Sequence, residues 1–316
     1  MLIITHKDIL KLNIPTTNCI QWVEDMIMNK STVNLPPKVS FVPFSGAFCN
    51  IMPAYIKNNQ NIAGIKAVTR FPAREPSLDS KLLLVDMNTG KFLAIMDANW
   101  ITTMRTGAVA AHSIKLFSKK DFYTVGIIGL GNTVRATLLA LAELVKNREI
   151  MFKLYSYKGQ EKLLKERFSH IKNFKFEYVN SYIDTIKDSD VIISATTYFD
   201  SDICHDKYYK EGVTVIPIHT RGFTNCDLFF DKVFADDTGH VTHFKNFGKF
   251  KKFAEVADVV NGVSEGRKND QERIIVYNIG IAMHDIYYAT NIYNLLDKSK
   301  IQNNIDFKEP NEKFWV

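Results

Sequence analysis

The chain lacks the features that mark several large function classes. Cysteine is scarce, and Cys19, Cys49, Cys204 and Cys226 are scattered without C-x-x-C spacing. That excludes a disulfide framework and suits buried thiols in a reducing compartment. No apolar run approaches the roughly 20 residues that a membrane helix needs, and the opening residues Met1-Leu-Ile-Ile-Thr-His-Lys7 carry no signal-peptide pattern. A cytoplasmic location is therefore expected, with no membrane partner. Repeats and low-complexity segments are also missing. Neither sign of charge dominates: 40 Lys and Arg against 34 Asp and Glu leave +6, a mild excess that suits anionic small molecules better than nucleic acid. The basic stretch Phe244-Lys-Asn-Phe-Gly-Lys-Phe-Lys-Lys-Phe253 reads as a solvated face whose phenylalanines turn inward. His240 and His243 have no neighbouring Cys or carboxylate cluster, so no metal is expected.

What the chain does have is length enough for two domains and a sharp change of pattern near its middle. Residues 38 to 96 read as a run of strands, with Asn88-Thr-Gly90 as a hairpin turn. A long helix follows over Ile101–Phe117. Strands and helices then alternate, which predicts a doubly wound parallel sheet of the Rossmann type. An apolar segment, Ile274–Ile279, and a final helix are expected to return to the first domain. The expected division is a first domain, 1–117 plus 273–316, with a dinucleotide-binding domain, 118–272, inserted into it.

The inserted domain opens on Tyr123-Thr-Val-Gly-Ile-Ile-Gly-Leu-Gly-Asn-Thr-Val-Arg-Ala136, a strand, a glycine turn and a helix start. Such a turn presents backbone N–H groups and a helix N-terminus to a pyrophosphate. Gly129, Gly131, Asn132, Thr133 and Val134 are the expected cofactor contacts. Val134 stands where the fingerprint has its third glycine or alanine, which implies a wider helix–strand approach. At the end of the second strand, Ser156 occupies the place of the carboxylate that accepts from an NAD ribose, and Lys158 follows. This favours NADP(H) over NAD(H), although a solvated loop lysine is the other reading of Lys158. Arg105, followed by the small residues Thr106, Gly107 and Ala108, is suited to gripping a pyrophosphate or carboxylate bidentately; a structural ion pair with Asp97 is the alternative.

These residues belong to a longer pattern: Met52-Pro-Ala-Tyr55, Gly64-Ile-Lys66, Asp97-Ala98, Ile101-Thr102, Arg105-Thr106, Gly129-x-Gly131, Gly266-Arg267, Asp270-x-Glu272, Gly280 and Asp285. Over nearly its whole length the chain resembles the ornithine cyclodeaminase/mu-crystallin family. The resemblance implies an NAD(P)-dependent enzyme acting on an amino acid or its imine, usually a homodimer built through the N-terminal sheet, and it assigns substrate binding and dimerisation to the first domain. It implies that Lys66 meets the substrate carboxylate or amino group, that Lys38 stands where many members have a substrate-binding arginine, and that Arg105 bridges cofactor and substrate. Ser77, Thr196, residues 215–218 and Asn278 fall near its cofactor contacts. On its own chemistry, Lys66 is flanked by the apolar Ile62, Ile65 and Val68, so a desolvated lysine could exchange a proton with a substrate nitrogen.

One departure separates this chain from true cyclodeaminases, which carry an aspartate in an Asp-x-Pro-Gly-Lys segment. Here the stretch is Ile218-His-Thr-Arg-Gly-Phe-Thr-Asn225, with Arg221 about where the aspartate should be. Arginine cannot accept a proton, so ornithine cyclisation is not expected. Arg221, Lys38 and Lys66, with Arg70 and Arg74 near Lys66 in sequence, suggest a substrate with two or more carboxylates. His219, at the carboxyl end of a strand, is a candidate for proton transfer. The expected activity is imine or ketimine reduction, or amino-acid dehydrogenation, on an N-substituted amino acid. The alternatives are a redox-neutral cyclodeaminase-like enzyme with bound NAD and an NADPH-dependent binding protein of the mu-crystallin kind.

Overall fold

The computed structural model describes residues 1–57, 60–146, 148–196, 199, 203–218, 227–301 and 303–305. It divides into two compact units. Met1–Ile14, Ser31–Thr102 and the chain from Asp285 onward form the first; Pro15–Lys30 and Thr103–His284 form the second.

The first unit is a seven-stranded sheet with α1 (His6–Lys11) at its start. Its strands are β1 (Leu2–Ile4), β2 (Val33–Asn34), β3 (Val39–Phe41), β4 (Phe48–Ile56), β5 (Ile62–Arg70), β6 (Leu78–Asp86) and β7 (Phe92–Asp97), in the order β1-β7-β6-β5-β4-β2, with β3 also on β4. The β6–β7 turn is the hairpin expected at Asn88-Thr-Gly90: the Asp86 carboxylate accepts from Asn88 N–H and Thr89 Oγ1. Strand alternation sends one row, Ile4–Met96–Leu82–Lys66–Met52, to the buried face. The adjoining row Ile3–Ile95–Leu83–Ile65–Pro53 points the other way and is apolar throughout.

The second unit contains α2 (Thr16–Met28), most of α3 (Asn99–Phe117), and an eight-stranded sheet that is parallel in every pairing. Its strands are β8 (Thr124–Ile128), β9 (Ile150–Tyr155), β10 (Phe174–Val179), β11 (Val191–Ser194), β12 (Thr214–Pro217), β13 (Lys232–Ala235), β14 (Phe253–Glu255) and β15 (Ile274–Tyr277). Helices α4 (Asn132–Val145), α5 (Gln160–Arg167), α6 (Tyr182–Ile186) and α7 (Val256–Val260) lie between them, while α8 (Ala282–Leu295) belongs to the first unit from Asp285 onward. The strand order is β10-β9-β8-β11-β12-β15-β13-β14. β11, β12, β13 and β15 are buried at every residue, as strands covered on both faces must be.

Two parts of the expected division are corrected. β15 does not return to the first domain. Its four apolar residues pair in parallel with β12 and β13, and so fill the interior of the second sheet. α2, expected in the N-terminal domain, packs on α4 and α7 through a buried face that includes Trp22, Val23 and Met26. The Lys/Phe stretch behaves as read: Phe244 packs edge-on against Tyr277, Phe247 and Phe250 meet Phe253, and Lys245, Lys249, Lys251 and Lys252 are exposed. Among the described residues no helix is long and apolar enough to cross a membrane.

Candidate active site

In the first unit the site begins at Lys66. It sits in the middle of β5, between Met52 and Leu82 in its row, and is fully buried. A lone ammonium there would carry a large desolvation cost, and an anion offsets it. Lys66 Nζ lies 2.7 Å from Asp285 Oδ1, and Asp285 is also fully buried. Gly64, two residues earlier on the same face, leaves room for Ile286 of α8: a Cβ there would lie 2.6 Å from Ile286 Cδ1. This close approach brings Asp285 to the lysine. Lys66 Nζ also lies 3.4 Å from Thr102 Oγ1, which meets Ser80 Oγ at 3.0 Å.

Lys38, half-buried, precedes β3, whose residues are all exposed. Arg70 Nη1 donates to the Gly46 carbonyl, and Arg74 donates to the Thr69 and Ser77 carbonyls at 3.3 and 3.1 Å. Both arginines therefore commit part of their guanidinium to holding loops. Asp97 is occupied within its own unit, by Lys81 at 3.2 Å, His6 at 3.4 Å and the Asn99 amide.

In the second unit, Gly129 has φ +88°, and a Cβ on it would come within 2.8 Å of the Ala195 carbonyl. Gly131 differs: it is the N-cap of α4 with φ −75°, no side chain caps the helix, and a Cβ there would meet nothing within 4 Å. The helix thus offers its first N–H groups to an open space, with Asn132 exposed and Thr133 half-buried beside it. Val134 is buried. The close helix approach comes instead from Gly107 of α3, where a Cβ would lie 2.4 Å from the Ala136 backbone of α4. Thr196 follows β11, and its buried Oγ1 has no partner among the described residues.

Arg105 is buried, and a Cβ on Gly280 would come within 2.6 Å of its Nη1. Asp236, after β13, accepts the Gly280 N–H at 2.8 Å and so fixes that turn. Thr106 is half-buried beside Arg105. Ser156 follows β9 and is tied to Val179 through its backbone, while Lys158 is exposed over the Tyr157 ring at 5.2 Å. Asn278 is buried, and its amide pairs with Ser113 of α3 at 3.1 Å. His219 and Arg221 lie outside the described residues. Asp285, Asp236 and Ser80 are the participants for which sequence reading assigned no role; Asp285 stands in the quoted pattern, but nothing in its spacing ties it to Lys66.

An open helix N-terminus, a glycine pair and an unpartnered hydroxyl fit a dinucleotide. Comparison with known proteins agrees with this architecture. The model of the ornithine cyclodeaminase/mu-crystallin family matches residues 2–300. The nodulation efficiency protein NfeD of Rhizobium meliloti is 25% identical over 313 residues, covering 93% of this chain and 95% of that protein. The N-((2S)-2-amino-2-carboxyethyl)-L-glutamate dehydrogenase of Staphylococcus aureus is 25% identical over 270 residues, 79% of each chain. The structure of Thermococcus litoralis Delta(1)-pyrroline-2-carboxylate reductase in complex with NADH and L-proline has a TM-score of 0.83 at 23% identity, covering 96% of this chain and all of that one.

Proposed function

Because this chain belongs to the ornithine cyclodeaminase/mu-crystallin family, we propose that it is an NAD(P)-dependent oxidoreductase acting on a C–N bond, reducing an imine or oxidising the matching amine of an N-substituted amino acid. The observation that carries the reading is the fully buried Lys66–Asp285 pair. A structural lysine has no need of a central place in an apolar row, whereas a proton-transfer group gains from a dry site and a fixed counter-ion. When bound, the nicotinamide supplies the hydride. The α4 N-terminus at Gly131, with Gly129 and Thr133, would hold the pyrophosphate; Arg105, set by Gly280, is the cation on that side. Ser156 in place of a carboxylate, with Lys158 nearby, favours NADP(H).

Lys38 and Arg70 are the candidate partners for substrate carboxylates, joined in sequence by Arg221. A substrate with several carboxylates is further supported by likeness to a dehydrogenase whose named substrate is N-((2S)-2-amino-2-carboxyethyl)-L-glutamate. The apolar row Ile3–Ile95–Leu83–Ile65–Pro53 on the outer face of the first sheet supports a homodimer built through that face. Purified protein is tested for consumption of NADPH and NADH with mixtures of 2-oxo acids and amino acids. Consumption that needs both organic components, faster with NADPH, supports the proposal. Turnover of a diamino acid without net nicotinamide change would replace it with a redox-neutral reaction, and binding of NADPH without any turnover would leave a binding protein.

A further inference from the structure

We infer that Asn99, acting through Ser80 and Thr102, orients the hydrogen bonds around Lys66 so that the lysine stands as an ammonium and enters the reaction as a proton donor. The inference rests on the proposed role of Lys66 in proton transfer. Its starting point is an amide whose orientation is fixed. Asn99 Nδ2 lies 2.9 Å from Asp79 Oδ1 and 3.2 Å from Asp97 Oδ2. Burial works to raise the Asp79 carboxyl, but hydrogen bonds from Lys81 and Asn99 outweigh it and hold it below its usual range. An ionised carboxylate only accepts, so Nδ2 faces the acids and Oδ1 faces Ser80.

Asn99 Oδ1 accepts from Ser80 N–H at 2.9 Å and from Ser80 Oγ–H at 3.2 Å. A hydroxyl has a single proton. With that proton turned to Asn99, Thr102 must donate in the 3.0 Å contact between the two hydroxyls. Thr102 Oγ1 then shows Lys66 only lone pairs, 3.4 Å away. From α8 the lysine faces Asp285, and along its row it faces the apolar Met52 and Leu82. Asp79, Lys81 and Asp97 stand at the far end of the chain of bonds. Thr102 and Asp285 therefore both accept from Lys66, Asp285 as a carboxylate, and this favours the charged form. Reversing Thr102 would turn the Ser80 proton away from Asn99 and leave Ser80 Oγ and Asn99 Oδ1, 3.2 Å apart, facing each other with no proton between them.

In the reductive direction the imine carbon gains a hydride, the second electron pair of C=N moves to nitrogen, and that pair takes a proton from Lys66. Lys66 is left as a neutral amine, to be reprotonated from solvent. Asn99, Ser80, Thr102 and Asp285 are positioning residues in this scheme.

The test is a pH titration of Lys66 Nζ by NMR in protein labelled with [15N]lysine, the signal assigned by its loss in Lys66→Met. Thr102→Val keeps the shape of the side chain and removes the acceptor, so Lys66 should lose its proton at a pH about one unit lower than in the wild type. Asn99→Ala, which touches neither lysine nor substrate, should move it in the same direction, and Thr102→Ser should restore the wild-type titration. The basic limb of kcat/KM for imine reduction should follow the same order. A Lys66 titration unchanged in both Thr102→Val and Asn99→Ala would overturn the inference, whatever their thermal stability. If the titration shifts as expected but no imine is reduced, the proton-holding device stands and the proposed reaction falls.

Discussion

A lysine with no exposed surface depends on its counter-ion in a way that a surface lysine does not. Lys66→Met leaves the Asp285 carboxylate buried without its cation, and should cost roughly 3–5 kcal/mol in urea unfolding. Lys66→Met/Asp285→Leu should recover most of that loss and remain inactive, separating the fold's need for the pair from the reaction's. The two turn glycines divide in the same manner. Gly129→Ala combines a positive φ with a clash against Ala195 and should destabilise the protein by a few kcal/mol. Gly131→Ala has space and an ordinary φ, so it should melt like the wild type while binding NADPH about tenfold more weakly, as read by fluorescence titration. Lys66, Arg105 and the glycine pair could be singled out in the sequence because the motifs around them are local, although the roles proposed for Lys66 and Arg105 lean on the family pattern. Asp285 was legible only as part of a pattern, since it reaches Lys66 through the packing of α8 over Gly64.

At the scale of elements, the contact between α3 and α4 substitutes for the missing third glycine of the fingerprint. Val134 implies a wide approach, yet Gly107 takes the Ala136 backbone against its own Cα. Gly107→Ala should force the helices apart and lower stability by about 1–3 kcal/mol in urea unfolding, with a corresponding fall in Tm. Strands of the first sheet and the alternating units of the second were readable from periodicity and turn residues, with the Asn88-Thr-Gly90 hairpin placed correctly. β15 was recognised as apolar but assigned to the wrong unit, because a buried parallel strand carries no alternation to say which sheet it joins. α2 was misplaced for a related reason: its apolar face shows that it packs, and only the fold shows that it packs on α4.

For the whole molecule, stability should fall with acid in two windows. Burial, with a smaller contribution from Lys115, lowers the His112 imidazole from 6.5 to about 4. The unfolded chain binds this proton below about 6.5 and the folded one does not until about 4, so stability declines as pH falls through that range. His112→Gln should flatten this window in urea unfolding at stepped pH. Burial works to raise Asp190, but Lys210 and the Thr124 and Tyr123 N–H groups hold it down to about 2. Its contribution is present above its ordinary 3.8 and is lost as pH falls toward 2. The proposed dimer face makes a separate prediction: Ile65→Lys, on the outer row, should yield monomers in sedimentation velocity and leave Lys66, on the opposite face of β5, paired. The reaction itself is tested most directly by supplying 4-deuterated NADPH or NADH with a 2-oxo acid and an amino acid and locating the label by mass spectrometry. Hydride transfer to a C=N carbon places deuterium on the α-carbon of the product amine, in step with loss of reduced nicotinamide. An unlabelled product, formed while the reduced nicotinamide stays constant, would contradict it.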